Sequence, residues 1–187
     1  MDTTSSPRGF WALIGAGLLV GGAIGVILLF GIPRASLGGA DTLEVAPARG
    51  ARSPDFSLQR IDGEQVSLRG YRGSPVLINF WATWCAPCRI EMPFLQERYE
   101  RFAESHGLKV VAIDFDEPQP DVQAFAESFG LTFDLLLDPG GEVQRLYQIR
   151  GYPSSYFVDR EGVVRVVHIG VMTEEQLDDN LKQIDVS

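Results

Sequence analysis

Two cysteines and two histidines are all the thiolate and imidazole ligands in 187 residues. A structural zinc site takes four ligands at close spacing, and His106 and His168 lie far in sequence from Cys85 and Cys88. A closed metal site is therefore not read. Two cysteines allow at most one disulfide. A bridge across a Cys-x-x-Cys spacing closes so short a loop that it constrains the unfolded chain little, so the pair is poorly explained as a staple. Positive charge is also scarce. Lys and Arg number 16 against 25 Asp and Glu, a net charge of −9, and from Ser53 onward the count is 12 against 22. Nucleic-acid binding calls for basic patches, so no nucleic-acid partner is expected. The acidic excess reads as a solvated surface.

Charge is missing altogether from Phe10 to Phe30, a run of 21 residues. At about 1.5 Å per residue it can span a hydrocarbon core of roughly 30 Å. Its glycines are tolerated in membrane helices. The hydrophobic part of a cleaved signal peptide is about 7–15 residues, shorter than this run. Gly38-Gly39-Ala40 is nonetheless a passable small-residue cleavage site. The reading is a short segment over 1–9, a transmembrane signal-anchor helix over 10–30, a Pro-, Gly- and Ala-containing tether over 31–52, and a redox domain over 53–187. The Arg and Asp/Glu residues flanking the run are nearly balanced and set no orientation. A first hydrophobic span usually acts as an export signal, so a single-pass protein with the domain outside the cell membrane is expected.

From Ser53 the pattern is α/β. Asp55–Leu58 and Gln65–Leu68 flank Ile61-Asp62-Gly63-Glu64, a hairpin signal. Pro75 precedes Val76–Phe80, a short apolar run typical of a strand buried on both faces. A helix is predicted from Ala86 to Ser105, with Pro87 in its first turn and a kink at Pro93. Then follow a strand over Leu108–Asp114, a helix over Val122–Phe129, a strand over Leu135–Leu137 and a short helix over Glu142–Tyr147. Strands over Ser155–Val158 and Val163–Ile169 come next. A last helix runs to Ile184 with Thr173 as its N-cap.

The Cys pair sits where a strand meets a helix. The thiolate is the nucleophile in disulfide exchange, and a helix N-terminus stabilises it with unpaired N–H groups and the positive end of its dipole. Cys85, at the junction, is expected to be the exposed attacker. Cys88, one turn in, is expected to be more buried and to resolve the mixed disulfide. Pro87 between them stiffens the loop. The motif in this context points to thiol–disulfide exchange.

Phe80-Trp81-Ala82-Thr83-Trp84-Cys85-Ala86-Pro87-Cys88 resembles the active-site segment of thioredoxin-fold proteins, and Gly151-Tyr152-Pro153-Ser154-Ser155 resembles their cis-proline segment. With the N-terminal hairpin, Glu91-Met92-Pro93 and the helix–strand unit over Val122–Leu137, the chain resembles the membrane-anchored, extracytoplasmic TlpA/ResA/CcmG (redoxin) group of thiol–disulfide oxidoreductases. That resemblance implies a thioredoxin-like fold: a central mixed sheet flanked by helices, an N-terminal hairpin and one βα insertion. It implies a reducing role toward disulfides of client proteins, often apocytochrome c before haem attachment. A membrane electron donor would re-reduce the pair, and no cofactor beyond the Cys85–Cys88 disulfide is needed.

A cis Tyr152–Pro153 bond is expected beside Cys85, presenting Tyr152 to a client strand. An ordinary turn proline is the alternative. Trp84 and Pro87 are expected to contact clients, although packing alone would also explain Trp84. Thioredoxins proper carry a buried acid on the strand before the motif, and here that position is Asn79. Glu91, one turn beyond Cys88, is read as tuning the cysteine pKa values and relaying protons, with a capping or solvated role as the alternative. Trp81 reads as a wall of the site or core, and His106 and His168 as structural or surface residues. Asp114, Asp116 and Glu117 read as a solvated strand-end loop. Three other functions remain open: a peroxiredoxin-type thiol peroxidase, which expects Thr where Ala82 stands, a disulfide-forming oxidase, and a Cu(I)-delivery or redox-sensing module.

Overall fold

A computed structural model describes residues 43–187. The expected N-terminal segment, transmembrane run and first part of the tether lie outside the described residues. Among the described residues no helix is long and apolar enough to cross a membrane. The last part of the expected tether is hydrogen-bonded to the domain: Gly50 N–H donates to Val164 O and Val164 N–H to Ala51 O.

Among the described residues seven strands form one sheet: β1 (Ser57–Arg60), β2 (Gln65–Ser67), β3 (Val76–Trp81), β4 (Lys109–Phe115), β5 (Asp134–Asp138), β6 (Ser154–Val158) and β7 (Val164–Ile169). Their order is β2-β1-β5-β4-β3-β6-β7. β5, β4 and β3 are mutually parallel, and the outer strands pair antiparallel. Among the described residues four α-helices complete the fold: α1 (Ala86–His106), α2 (Gln119–Phe129), α3 (Glu142–Leu146) and α4 (Glu174–Lys182). The expected mixed sheet with an N-terminal hairpin and helix-linked parallel strands is present. All six residues of β3 are buried, as expected of a central strand with both faces covered.

Strand alternation divides the core in two. Val76, Ile78 and Phe80 of β3 and Val111 and Ile113 of β4 pack with Tyr147 and Tyr156 on one face. Leu77 and Trp81 of β3 and Val110 and Ala112 of β4 pack on the other with Cys85, Cys88, Met92 and Leu95 of the α1 region and with Leu177 and Leu181 of α4. Each fully buried aliphatic or aromatic side chain contributes about 1.5–3 kcal/mol. The same alternation sends Asn79 and Asp114 to the α1 side.

Helix α1 begins and ends on identifiable caps. Cys85 is its N-cap, Pro87 lies in its first turn, and Gly107 closes it at φ 70°. It continues unbroken through Pro93, where the sequence predicts a kink. Its buried stripe, Cys88, Glu91, Met92, Leu95 and Phe102, follows helical spacing. Arg98 fastens α1 to α4 through Asp178 at 2.7 Å and Glu174 at 3.1 Å. Thr173 caps α4 in a reciprocal capping box with Gln176.

Candidate active site

Cys85 and Cys88 are joined by a disulfide, their Cα atoms 5.3 Å apart. The loop over 82–84 leads from β3 to the start of α1. Cys85 N–H donates to Ala82 O at 3.2 Å, and Cys88 N–H donates to Cys85 Sγ at 3.2 Å. No acidic residue stands in the first turn of α1, so nothing there offsets the dipole's support for a thiolate. Cys85 is not an exposed side chain as expected. It keeps 4% of its surface and Cys88 1%. Both sulfurs sink into the α1-side core beside Met92, which leaves Cys85 only marginally the more accessible.

The accessible parts of the site are its neighbours. Trp84 is 63% exposed and meets the Tyr152 ring edge-on at 5.7 Å. Pro87 is exposed, and Pro153 is buried. The Tyr152–Pro153 bond is cis. The Trp84–Tyr152 contact holds that segment beside the cysteine loop, and Gly170 N–H donates to Pro153 O at 2.8 Å. Phe115 also packs on the Tyr152 ring, at 5.9 Å. The Tyr152 hydroxyl donates to Gln144 Oε1. Burial, with Asp138 and Asp114 nearby, pushes that hydroxyl's pKa up to about 12.

Glu91 is buried, which removes the solvated alternative. Its Oε1 accepts from Met172 N–H at 2.9 Å and its Oε2 from Asn79 Nδ2 at 3.0 Å. Asn79 Nδ2 also donates to Ser155 Oγ at 2.9 Å. Among the described residues Asn79 Oδ1 is buried with no partner. Burial pushes the Glu91 carboxyl up to about 7, against the opposing pull of the Met172 and Asn79 hydrogen bonds. A carboxyl that titrates near neutrality, one turn from Cys88, can hold or release a proton at working pH. The strand position that Asn79 occupies thus joins Glu91 in a hydrogen-bonded pair, a link that reading each residue alone missed.

The acidic strand end differs from the solvated loop expected of it. Asp114 is fully buried, whereas Asp116 is exposed. Glu117 turns back to the cysteine loop, accepting from Thr83 N–H at 2.6 Å and from the Thr83 hydroxyl. One signal was available: alternation along β4 puts Asp114 on the face of Val110 and Ala112. For the Met172 N–H none was, since a backbone donor carries no residue signature. Trp81 is core, packed on Phe125 at 4.7 Å. His106 bonds Ser105, and neither it nor His168 is placed at the site. Among the described residues no three His, Cys, Asp or Glu side chains gather as metal ligands.

Residues 50–167 match the AhpC/TSA family. The chain is 40% identical over 141 residues to the thioredoxin-like protein YneN of Bacillus subtilis, covering 74% of this chain and 81% of that protein. It is 37% identical over 143 residues to the thiol–disulfide oxidoreductase ResA of Geobacillus thermodenitrificans, covering 76% and 82%. Among solved structures, a thiol:disulfide interchange protein of the thioredoxin family from Chlorobium tepidum superposes with a TM-score of 0.66 at 28% identity, over 73% of this chain and 97% of that one.

Proposed function

The chain belongs to the AhpC/TSA family and is a thiol–disulfide oxidoreductase of the ResA type, and on that premise we propose that it reduces disulfides in exported proteins from a membrane tether. The observation that carries this reading is the Cys85–Cys88 disulfide at the start of α1, with Glu91 buried one turn further on and the Tyr152–Pro153 segment beside it.

In the reduced protein the Cys85 thiolate attacks one sulfur of a client disulfide. A mixed disulfide forms, and the first client sulfur leaves as a thiolate that takes up a proton. Cys88 then gives up its proton and attacks Cys85 Sγ, which releases the second client sulfur. The client gains two electrons and two protons, and Cys85–Cys88 closes. Glu91, titrating near neutrality one turn beyond Cys88, is the acid to which this reading gives the Cys88 proton. Trp84, Pro87 and Tyr152 form the surface that receives the client chain, with the buried Pro153 shaping the segment behind it. A membrane electron donor returns the pair to the dithiol. The uncharged run over 10–30 supports a single-pass anchor with the domain on the extracytoplasmic side. Apocytochrome c awaiting haem is the client class that the resemblance to ResA suggests.

The test is a Cys88→Ser variant of the full chain, expressed in its own cells and trapped with acid and a thiol-blocking reagent. Exported cysteine-bearing proteins held as mixed disulfides on Cys85, in the membrane fraction, are the expected result. A variant that traps nothing, in a protein whose dithiol is consumed rapidly by peroxide, would overturn the reading in favour of a peroxidase.

A further inference from the structure

Asp114 and Glu117 have no part in the exchange steps above, yet they are tied to the loop that carries Cys85. Asp114 ends the apolar alternation of β4, lies opposite Trp81 in the β3–β4 register, and projects to the α1 face of the sheet. It is completely buried. Its Oδ2 accepts from Glu117 N–H at 3.0 Å, and its Oδ1 has no partner among the described residues. Glu117 spans from the end of β4 to the residue two before Cys85, where both of its oxygens accept from Thr83. On its other side Thr83 O accepts from Arg89 Nη1 at 3.3 Å.

We propose that Asp114 and Glu117 form a two-acid latch, in which Glu117 positions the Thr83–Trp84–Cys85 loop and the proton held by the pair sets how firmly it does so. With one proton on the pair, held by Asp114, both Glu117 oxygens stay free to grip Thr83. Burial first, and then the neighbouring Glu117, hold the Asp114 carboxyl well above the ordinary carboxylate range. Losing that proton would place a second negative charge in a pocket that water does not reach. The Asp116 carboxylate adds to that cost, whereas a neighbouring cation would lower it. Asp116, on the same turn, accepts from Gly140 N–H at 2.7 Å. Asp138, at the end of β5, has its oxygens on Val143 and Gln144 N–H at 3.1 and 3.0 Å. Tyr152, before β6, is neutral. Arg89 of α1 is the cation at the loop, and its guanidinium lies 5.2 Å from the Phe125 and Phe129 ring centroids. Like-charge repulsion then loosens the hold of Glu117 on Thr83, and Cys85 loses its fixed place at the helix start. The latch thus adds a pH-dependent step to Cys85 reactivity, separate from Glu91.

This inference rests on Cys85 being the exchanging thiol, so the test reads that thiol directly, without a client. The reduced full chain is alkylated with iodoacetamide across the range where carboxyls and thiols titrate, and its potential is measured against glutathione. Wild type should show, besides thiol ionisation and the Glu91 titration, a further inflection that is absent from Asp114→Asn and from Glu117→Gln. Thr83→Val should slow Cys85 alkylation about tenfold, the loss of about one hydrogen bond's worth of positioning. Thr83→Ser, which keeps the hydroxyl donor, should restore the wild-type rate. If Asp114→Asn does not fold, the Thr83→Val and Thr83→Ser pair decides. Profiles of the acid variants that superimpose on a reactive wild type, or a Thr83→Ser as slow as Thr83→Val, would overturn the latch alone. A wild-type Cys85 no more reactive than a free thiol would overturn the exchange reading and the latch with it.

Discussion

Replacing Glu91 by Gln puts a side chain of the same shape, with no titration, into the most buried acid site on α1. The carboxyl moves from its ordinary 4.5 to about 7 because burial disfavours its charged form. One pKa unit corresponds to about 1.4 kcal/mol, so the shift represents about 3 kcal/mol of folding free energy. Its sign follows from proton binding. Below pH 4.5 Glu91 is protonated in both the folded and the unfolded chain and contributes no pH dependence. Between about 4.5 and 7 the unfolded chain releases the proton while the folded protein keeps it, so stability falls as pH rises. Above about 7 both states are ionised and the loss levels off. In Glu91→Gln this decline is absent. The Gln oxygen keeps the Met172 N–H, but its amide donors face the Asn79 donor, at a pH-independent cost of about 1 kcal/mol. The variant should therefore be slightly less stable than wild type in acid and more stable by about 2 kcal/mol above neutrality, the two curves crossing between. Urea unfolding of the oxidised form at a series of pH values measures this with the thiols silenced. With a urea dependence of about 2 kcal/mol per molar, the midpoints at the two ends should differ by on the order of 1.5 M. Asp114 titrates in both proteins and cancels in the difference. Parallel curves would show that Glu91 is not held in its neutral form by burial, and with that the proton-relay role proposed for it would lose its basis.

Other consequences are measurable. Trp84→Ala removes the most exposed aromatic at the site and should lower kcat/KM toward a disulfide-bonded protein about tenfold, while the glutathione equilibrium stays put; an equal loss with a small disulfide would point to altered thiol chemistry instead. Closing the four-residue Cys85–Cys88 loop should make the oxidised form more stable than the reduced one by about 2 kcal/mol on chain entropy, the order expected of a reductant; a reduced form that unfolds at higher denaturant would favour the disulfide-forming alternative. Asp178→Ala leaves the buried Arg98 with only peripheral partners and should destabilise the domain by about 2 kcal/mol in thermal unfolding, with thiol reactivity unchanged. Gly141→Ala forces a side chain onto a φ of 68° and brings its Cβ to 2.7 Å from the Phe115 ring, so a loss of about 1–2 kcal/mol and an altered Trp84 fluorescence are expected, because Phe115 supports Tyr152 against Trp84.

Much of the local architecture could be read from one dimension because its causes are local. The apolar run Val76–Phe80, the cap at Thr173 and the Cys-x-x-Cys spacing at a strand–helix junction each announce themselves through neighbours in the chain. Helical spacing also put Glu91 on the face of Cys88. The acidic residues at the end of β4 were harder. Their composition reads as surface, yet the register of β4 against β3 and β5 encloses Asp114 completely.

By itself the sequence determined the exchange chemistry, the order of strands and helices, and the identity of the pair, since those depend on residue types a few positions apart. Tertiary structure alone decided how that pair is governed. Glu91 titrates near neutrality because the fold buries it, and that burial outweighs the hydrogen bonds it accepts from Met172, 81 positions away, and from Asn79. Cys85 is nearly covered because both sulfurs pack into the sheet's α1 face, and Thr83 is held by a carboxylate 34 positions on. Desolvation and hydrogen bonding between distant segments are set by which surfaces meet, and that is fixed only when the chain folds.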